Sequence, residues 1–161
     1  MKRLCWMGWI GTVLLGIGLH ALYAWRPIPL LGLFSPVNES VWEHLKLLYW
    51  PFLAVCGLLS PRVPSLPAFW GAACSSLLTM PPVLMGIWYT ARCGFGIVSS
   101  FLDMGLYCLI VGLGFFLLYH LQKKPWRERQ VGIAIMLAGL WGGVLLIGSA
   151  APFDLPLFQS V

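Results

Sequence analysis

The sequence has very little charge, and acidic residues are especially scarce. Only 9% of the 161 residues are charged and only 5 are Asp or Glu, whereas 60% are hydrophobic. Soluble domains carry about 25% charged residues, so a chain this apolar does not suit an ordinary water-soluble fold. The composition predicts an integral membrane protein, with the lipid bilayer as its main partner.

Familiar catalytic and metal-binding motifs are also absent. The chain has no Gly-x-Ser-x-Gly, no His-Glu-x-x-His and no phosphate-binding loop. It lacks the Glu-x-x-His motif of di-metal bundles, because Glu43 and His44 are adjacent. Its five cysteines include no Cys-x-x-Cys pair, which argues against a cysteine zinc site or a disulfide framework. A function must therefore be inferred from individual polar residues.

The chain does have five long apolar runs. Each is close to the ~20 residues that cross a bilayer as a helix, and each is continuous, which argues against the alternating strands of a β-barrel. The predicted spans are residues 5–25, 40–59, 68–90, 97–121 and 131–151. The predicted fold is an all-α integral membrane bundle of about five transmembrane helices, in a single domain over residues 1–161.

Basic residues predict the orientation of this bundle. With the N-terminus in the cytoplasm, seven Lys or Arg residues lie inside and three outside, as the positive-inside rule requires. The inner set is Lys2, Arg3, Arg62, Lys123, Lys124, Arg127 and Arg129, and the outer set is Arg26, Lys46 and Arg92. The C-terminal tail is then outside, where it could cover the outer face. The basic residues flank apolar runs, so we expect no nucleic-acid partner.

One short segment concentrates the scarce polar residues. Residues 36–47 read PVNESVWEHLKL and contain Glu39, Glu43 and His44. Residues four apart share a helix face, so the two glutamates would point in the same direction. Ionisable groups beside hydrocarbon are costly and are functional-site candidates by default.

Two further ionisable residues are predicted at a similar depth. At 1.5 Å per helical residue, His20 and Asp103 lie roughly 8 and 9 Å below the outer surface. Tyr107, four residues after Asp103, is expected to hydrogen-bond its carboxylate or to relay a proton. Polar groups from three helices would therefore converge in a pocket at the outer face.

This pocket has two chemical interpretations. Carboxylate and imidazole ligands suit zinc, iron or manganese, and the candidate ligands are His20, Glu39, Glu43, His44 and Asp103. The same kinds of groups could instead act as acid and base in a water-poor site. For catalysis the candidates are Glu43, His44 and Asp103, with Asn38, Ser40 and Tyr107 in support.

The polar residues of the same segment can also be explained as N-capping residues of a helix, without a catalytic or metal-binding role. Asn38 is a good N-cap, and Ser40-x-x-Glu43 fits a capping box. Glu43 and Lys46 can pair three residues apart. This alternative explains the segment itself, but not the matching depth of His20 and Asp103.

The segment resembles the PVNESxWEHxKL signature of a family of small bacterial multi-pass membrane proteins of unknown function. The features that carry the resemblance are His20, the Asn38 to His44 stretch, Asp103 and Pro156-Leu157-Phe158. The resemblance implies a bacterial plasma membrane location and supplies no activity.

Three functions stay open at this point. The first is an intramembrane hydrolase acting on a lipid or a small envelope molecule. The second is a non-catalytic membrane module that assembles or regulates a partner. The third is a small ion-coupled transporter, in which Asp103 and His20 would be coupling residues. Assembly into a homo-oligomer is a further expectation.

Overall fold

The computed structural model describes residues 1–38 and 40–151, which form a bundle of helices. The helices are α1 (Lys2–Trp25), the short α2 (Pro29–Gly32), α3 (Val41–Leu59), α4 (Leu66–Tyr89), α5 (Ser100–Leu121) and α6 (Glu128–Ala150). A 3-10 turn (Ser60–Arg62) follows α3, and a π-helical turn (Thr90–Gly94) follows α4. The described residues contain no strand. The all-α prediction is confirmed, and a long helix lies over each predicted span.

Proline sets several of the helix boundaries. Helix α1 ends two residues before Pro27, and Pro29 opens α2. Pro61 lies at the start of the 3-10 turn, and Pro67 lies in the first turn of α4. Proline has no N–H to donate and a fixed φ, so it suits the first turn of a helix and interrupts a preceding one.

Four of the long helices are long and apolar enough to cross a membrane, namely α1, α4 with its π-helical turn, α5 and α6. Helix α3, which carries Glu43, His44 and Lys46 near its start, is not among the four. It packs against α1, α4, α5 and α6, and both Glu43 and Lys46 near its start are buried. The polar end of α3 therefore lies largely within protein, where ionisable groups at membrane depth are tolerated.

Contacts between α3 and α6 illustrate how closely the helices approach. The Tyr49 hydroxyl donates a hydrogen bond to the Ala138 carbonyl at 2.8 Å. A Cβ atom added at Gly142 would lie 2.5 Å from that hydroxyl, and one at Gly148 would lie 2.5 Å from the Trp42 ring. Glycine at these two positions lets bulky aromatic side chains of α3 pack directly onto the α6 backbone.

Candidate functional site

The polar segment starts α3, and Ser40 caps the helix. The Ser40 Oγ accepts a hydrogen bond from the Glu43 backbone N–H at 3.3 Å. The Asn38 Oδ1 accepts one from the Ser40 backbone N–H at 3.0 Å. Of the two cap candidates in the sequence, Ser40 occupies the N-cap position, and Asn38 orders the turn before it. Glu39 lies outside the described residues.

Glu43 and Lys46 form a buried ion pair within the first two turns of α3. The Lys46 Nζ lies 2.6 Å from the Glu43 Oε2, and the two side chains are 0% and 7% exposed respectively. The predicted pairing of residues three apart is confirmed. Each buried charge depends on the other, since removing one partner of such a pair typically costs ~3–5 kcal/mol.

The same ion pair holds the α1–α3 connector, residues 26–38, against the start of α3. The Val37 backbone N–H donates to the Glu43 Oε2 at 2.8 Å. The Lys46 Nζ donates to the Gly32 carbonyl at 2.6 Å. A Cβ atom at Gly32 would lie 2.9 Å from the Val37 side chain, so the connector folds closely on itself here. We call Gly32, Val37, Glu43 and Lys46 the connector clasp.

The connector is also attached to α1, next to a pair of histidines. The Ser35 hydroxyl donates to the Leu19 carbonyl. The ring of the neighbouring residue, His20, lies beside the His44 ring in a tilted arrangement, with 5.5 Å between the ring centroids and 44° between the ring planes. The His44 Nδ1 lies 2.8 Å from the Ser40 carbonyl oxygen. A carbonyl can only accept, so in this arrangement Nδ1 carries the proton. The structure thus brings His20 and His44 together.

Asp103 pairs with an arginine from the α4–α5 connection. The Arg92 guanidinium donates to the Asp103 Oδ2 at 2.9 Å, and the two side chains are 17% and 36% exposed. The guanidinium carbon also lies 4.5 Å from the centroid of the Trp88 ring, a cation–π contact. The Asp103 carboxylate is therefore already engaged by a cation that α4 and its π-helical turn hold in place.

Tyr107 joins three helices rather than pairing with Asp103. Its hydroxyl lies 3.2 Å from the Thr12 carbonyl of α1 and 3.4 Å from the Leu47 carbonyl of α3. The predicted hydrogen bond to Asp103 is corrected accordingly. The physical reason is packing: residues four apart share a helix face, but Tyr107 points into the α1–α3 seam, where buried backbone oxygens are available.

The predicted metal ligands do not all meet within the part of the chain that the structure describes. There, no group of three or more His, Cys, Asp or Glu residues could hold a metal ion. His20 and His44 are adjacent, whereas Glu43 pairs with Lys46 and Asp103 with Arg92. Glu39 is outside the described residues, so a zinc, iron or manganese site built on the two histidines stays a prediction.

The sequence did not predict the backbone groups that hydrogen-bond to Glu43 and Lys46. Gly32 and Val37 contribute a carbonyl and an N–H to the clasp, and neither group depends on residue type. Arg92 was visible as an outer basic residue. Its position on the connection leading into α5, 11 residues before Asp103, is the signal from which that ion pair could have been inferred.

The chain matches a family model along almost its whole length. The model is described as a family of unknown function (DUF6512), and the match covers residues 3–161. Neither a curated protein nor a solved structure gives a significant match. The expected membership of a family of unknown function is confirmed, and the chain belongs to this family.

Proposed function

We propose that the chain is a non-catalytic membrane module, which assembles with or regulates a partner in the same bilayer. The observation that carries this proposal is that the Glu43 carboxylate is buried and already has hydrogen-bonding partners. One of its carboxylate oxygens already accepts from the Val37 N–H and the Lys46 ammonium, and the side chain is buried. A general base or a metal ligand needs an oxygen directed at its substrate or metal. The contacts of the Glu43 Oε2 with the connector and with Lys46 support a role in fixing the connector.

The setting of this module is part of the proposal. The four helices that could span a membrane support an integral membrane protein, and the seven-to-three distribution of basic residues supports a cytoplasmic N-terminus. The connector clasp would then face the outer side. We propose a bacterial plasma membrane as the location, on the strength of the PVNES resemblance.

A charge-free clasp tests the proposal in cells. The Glu43→Gln/Lys46→Met variant removes both buried charges and keeps a side-chain oxygen that can accept from the Val37 N–H. The matched control is Lys124→Met/Glu128→Gln, which removes one base and one acid at exposed positions. Both would replace the chromosomal copy, beside a deletion strain and the wild type, with membrane levels checked by immunoblotting.

A non-catalytic module should tolerate the charge-free clasp. We expect cells with the Glu43→Gln/Lys46→Met variant to match wild type and control in any condition that impairs the deletion strain. If the variant reaches wild-type levels in the membrane and still behaves like the deletion, the ion pair itself takes part in the function, and the proposal is wrong.

The histidine pair favours a second candidate, an intramembrane hydrolase that acts on a lipid or a small envelope molecule. Two imidazoles with centroids 5.5 Å apart supply groups suited to acid–base chemistry or to metal binding. In this version the two histidines are the reacting or metal-binding groups, while Glu43 and Asp103 stay in their ion pairs with Lys46 and Arg92.

Metal analysis of the purified protein tests the metal form of this second candidate. This second candidate predicts near-stoichiometric zinc, iron or manganese in the wild type and its loss in His20→Ala and His44→Ala. The control is His120→Ala, because His120 packs against Phe116 and Tyr119 near the other end of the bundle. A metal content that is negligible in the wild type, or equal in all four proteins, would eliminate the metal form.

A further inference from the structure

A groove of about 760 Å³ runs between α1 and α5, at the end of the bundle where α1 begins and α5 ends. Its floor is largely aromatic and includes Trp6, Trp9, Phe115 and Phe116. The volume lies within the roughly 300–1,000 Å³ that is usual for sites binding small molecules. We call this feature the α1–α5 groove. It adjoins the start of α1, whereas the connector clasp adjoins the region where α1 ends.

The aromatic floor is partly fixed and partly open to the surroundings. The Trp9 indole N–H donates to the Cys108 carbonyl at 2.9 Å, and the Trp6 ring meets the Trp9 ring at a centroid distance of 5.1 Å. Trp6 is 62% exposed and Phe116 is 59% exposed. The groove therefore presents an exposed apolar wall, and a partly buried hydrogen bond holds its Trp9 side in shape.

The rim of the groove is cationic. Lys2, at the start of α1, and Lys123, just after α5, both line it, and His120 lies beside them. The Lys123 Nζ lies 3.8 Å from the centroid of the Tyr119 ring, a cation–π contact that keeps the ammonium group near the mouth. The described residues that line the groove include no acid. The rim thus attracts an anion, and the floor attracts hydrocarbon.

This combination selects one kind of occupant. A free soluble anion would use the rim but not the aromatic floor. A second copy packed about a twofold axis would bring its own Lys2 and Lys123 to the same rim, and these like charges would repel one another. An amphiphile with a phosphate head and acyl tails uses both parts, because a lysine ammonium binds phosphate as a point charge.

We propose that the α1–α5 groove binds one anionic phospholipid. Its phosphate lies between Lys2 and Lys123, and one acyl chain runs along Trp6, Trp9 and Phe116. The seven-to-three distribution of basic residues predicts that this end faces the cytoplasm, the side on which anionic lipids attract basic residues of membrane proteins.

Native mass spectrometry of the purified full-length chain in a nonionic detergent tests the proposal. The protein is titrated with phosphatidylglycerol or with phosphatidylcholine carrying the same acyl chains. Each lysine at such a surface contributes about a fivefold gain in affinity, so we expect phosphatidylglycerol to bind the wild type about 25-fold more tightly. Lys2→Gln/Lys123→Gln should lower the affinity for phosphatidylglycerol close to that for phosphatidylcholine. The affinity for phosphatidylcholine should fall much less, because the choline ammonium already neutralises the charge of its phosphate.

Two further variants distinguish lipid binding in the groove from nonspecific attraction between the lipid and the basic residues of the chain. Lys124→Gln/Arg129→Gln removes the same amount of charge from exposed positions outside the groove lining, and should change the affinity for phosphatidylglycerol by no more than about twofold, because solvent screens these charges. Phe116→Ala removes part of the exposed aromatic wall of the groove and should lower the affinity for both lipids by the same factor. All variants would first be shown to unfold at the wild-type temperature.

Four results would overturn the proposal. The first is equal affinity of the wild type for the two lipids. The second is a loss in Lys124→Gln/Arg129→Gln as large as in the groove variant. The third is unchanged binding of both lipids by Phe116→Ala, which would place the lipid elsewhere. The fourth is displacement of the lipid by free glycerol phosphate at an equal concentration, which would assign the site to a soluble anion.

Discussion

Gly16 makes room for the Tyr107 hydroxyl that joins α1, α3 and α5. A Cβ atom at this position would lie 1.9 Å from the Tyr107 Oη and 2.8 Å from its Cζ. Neither distance is sterically allowed, so Gly16→Ala must displace the ring and break its hydrogen bond to the Thr12 carbonyl. Gly18 lies on the same helix with nothing within 4 Å of its added Cβ, and Gly18→Ala is the matched control.

The expected difference between these two variants follows from three contributions. Losing the Tyr107 hydrogen bond costs about 0.5–1.5 kcal/mol, and overpacking costs about 1–3 kcal/mol. The helix propensity of alanine returns up to about 1 kcal/mol in both variants. Gly16→Ala should therefore lower the free energy of unfolding by about 0.5–4 kcal/mol, while Gly18→Ala leaves it unchanged or slightly raised.

Unfolding followed by circular dichroism, in mixed micelles of increasing SDS content, measures both variants against the wild type. Adding Tyr107→Phe to Gly16→Ala removes the atom that clashes most and should recover part of the loss. Equal stability of Gly16→Ala and Gly18→Ala would refute the reasoning, because it would mean that Tyr107 does not lie against Gly16.

The remaining predictions use the same assay. Asp103→Asn should lower the free energy of unfolding by only about 0.2–1 kcal/mol, because the Arg92–Asp103 pair is partly exposed to solvent. A decrease of more than about 3 kcal/mol would mean that this carboxylate is buried. Gly142→Ala should destabilise the bundle by about 1–3 kcal/mol, because the added Cβ would clash with Tyr49. Gly139→Ala should be neutral, because its Cβ would meet open space. Equal effects of the two substitutions would contradict the packing of α3 against α6.

The sequence predicted those features that depend on local pattern. Continuous apolar runs located the five long helices, because each run has the length of a membrane span. The Glu43–Lys46 pair and the Ser40 cap were also foreseen, since both join residues three apart on one helix. Even the position of the cap was ambiguous, because Asn38 and Ser40 are both favoured in that role.

The sequence did not predict contacts that depend on how the helices pack. Lys46 reaches the Gly32 carbonyl across 14 residues, and Tyr107 reaches the Thr12 carbonyl across 95. In both cases the acceptor is a backbone oxygen, which every residue type has. Counting helical residues from the outer surface suggested that His20 and Asp103 belong to one pocket. Such a count gives the depth of a residue, but not the side of the bundle on which its side chain lies.

The most direct test of the connector clasp is a double-mutant cycle on its ion pair. Glu43→Gln and Lys46→Met should each lower the free energy of unfolding by about 3–5 kcal/mol, because each leaves a buried charge without its partner. The double variant leaves no buried charge, so we expect it to lose less than the sum, with an interaction energy of at least about 2 kcal/mol. Small, additive losses in the two single variants would contradict the account, since they would mean that the connector does not depend on this pair.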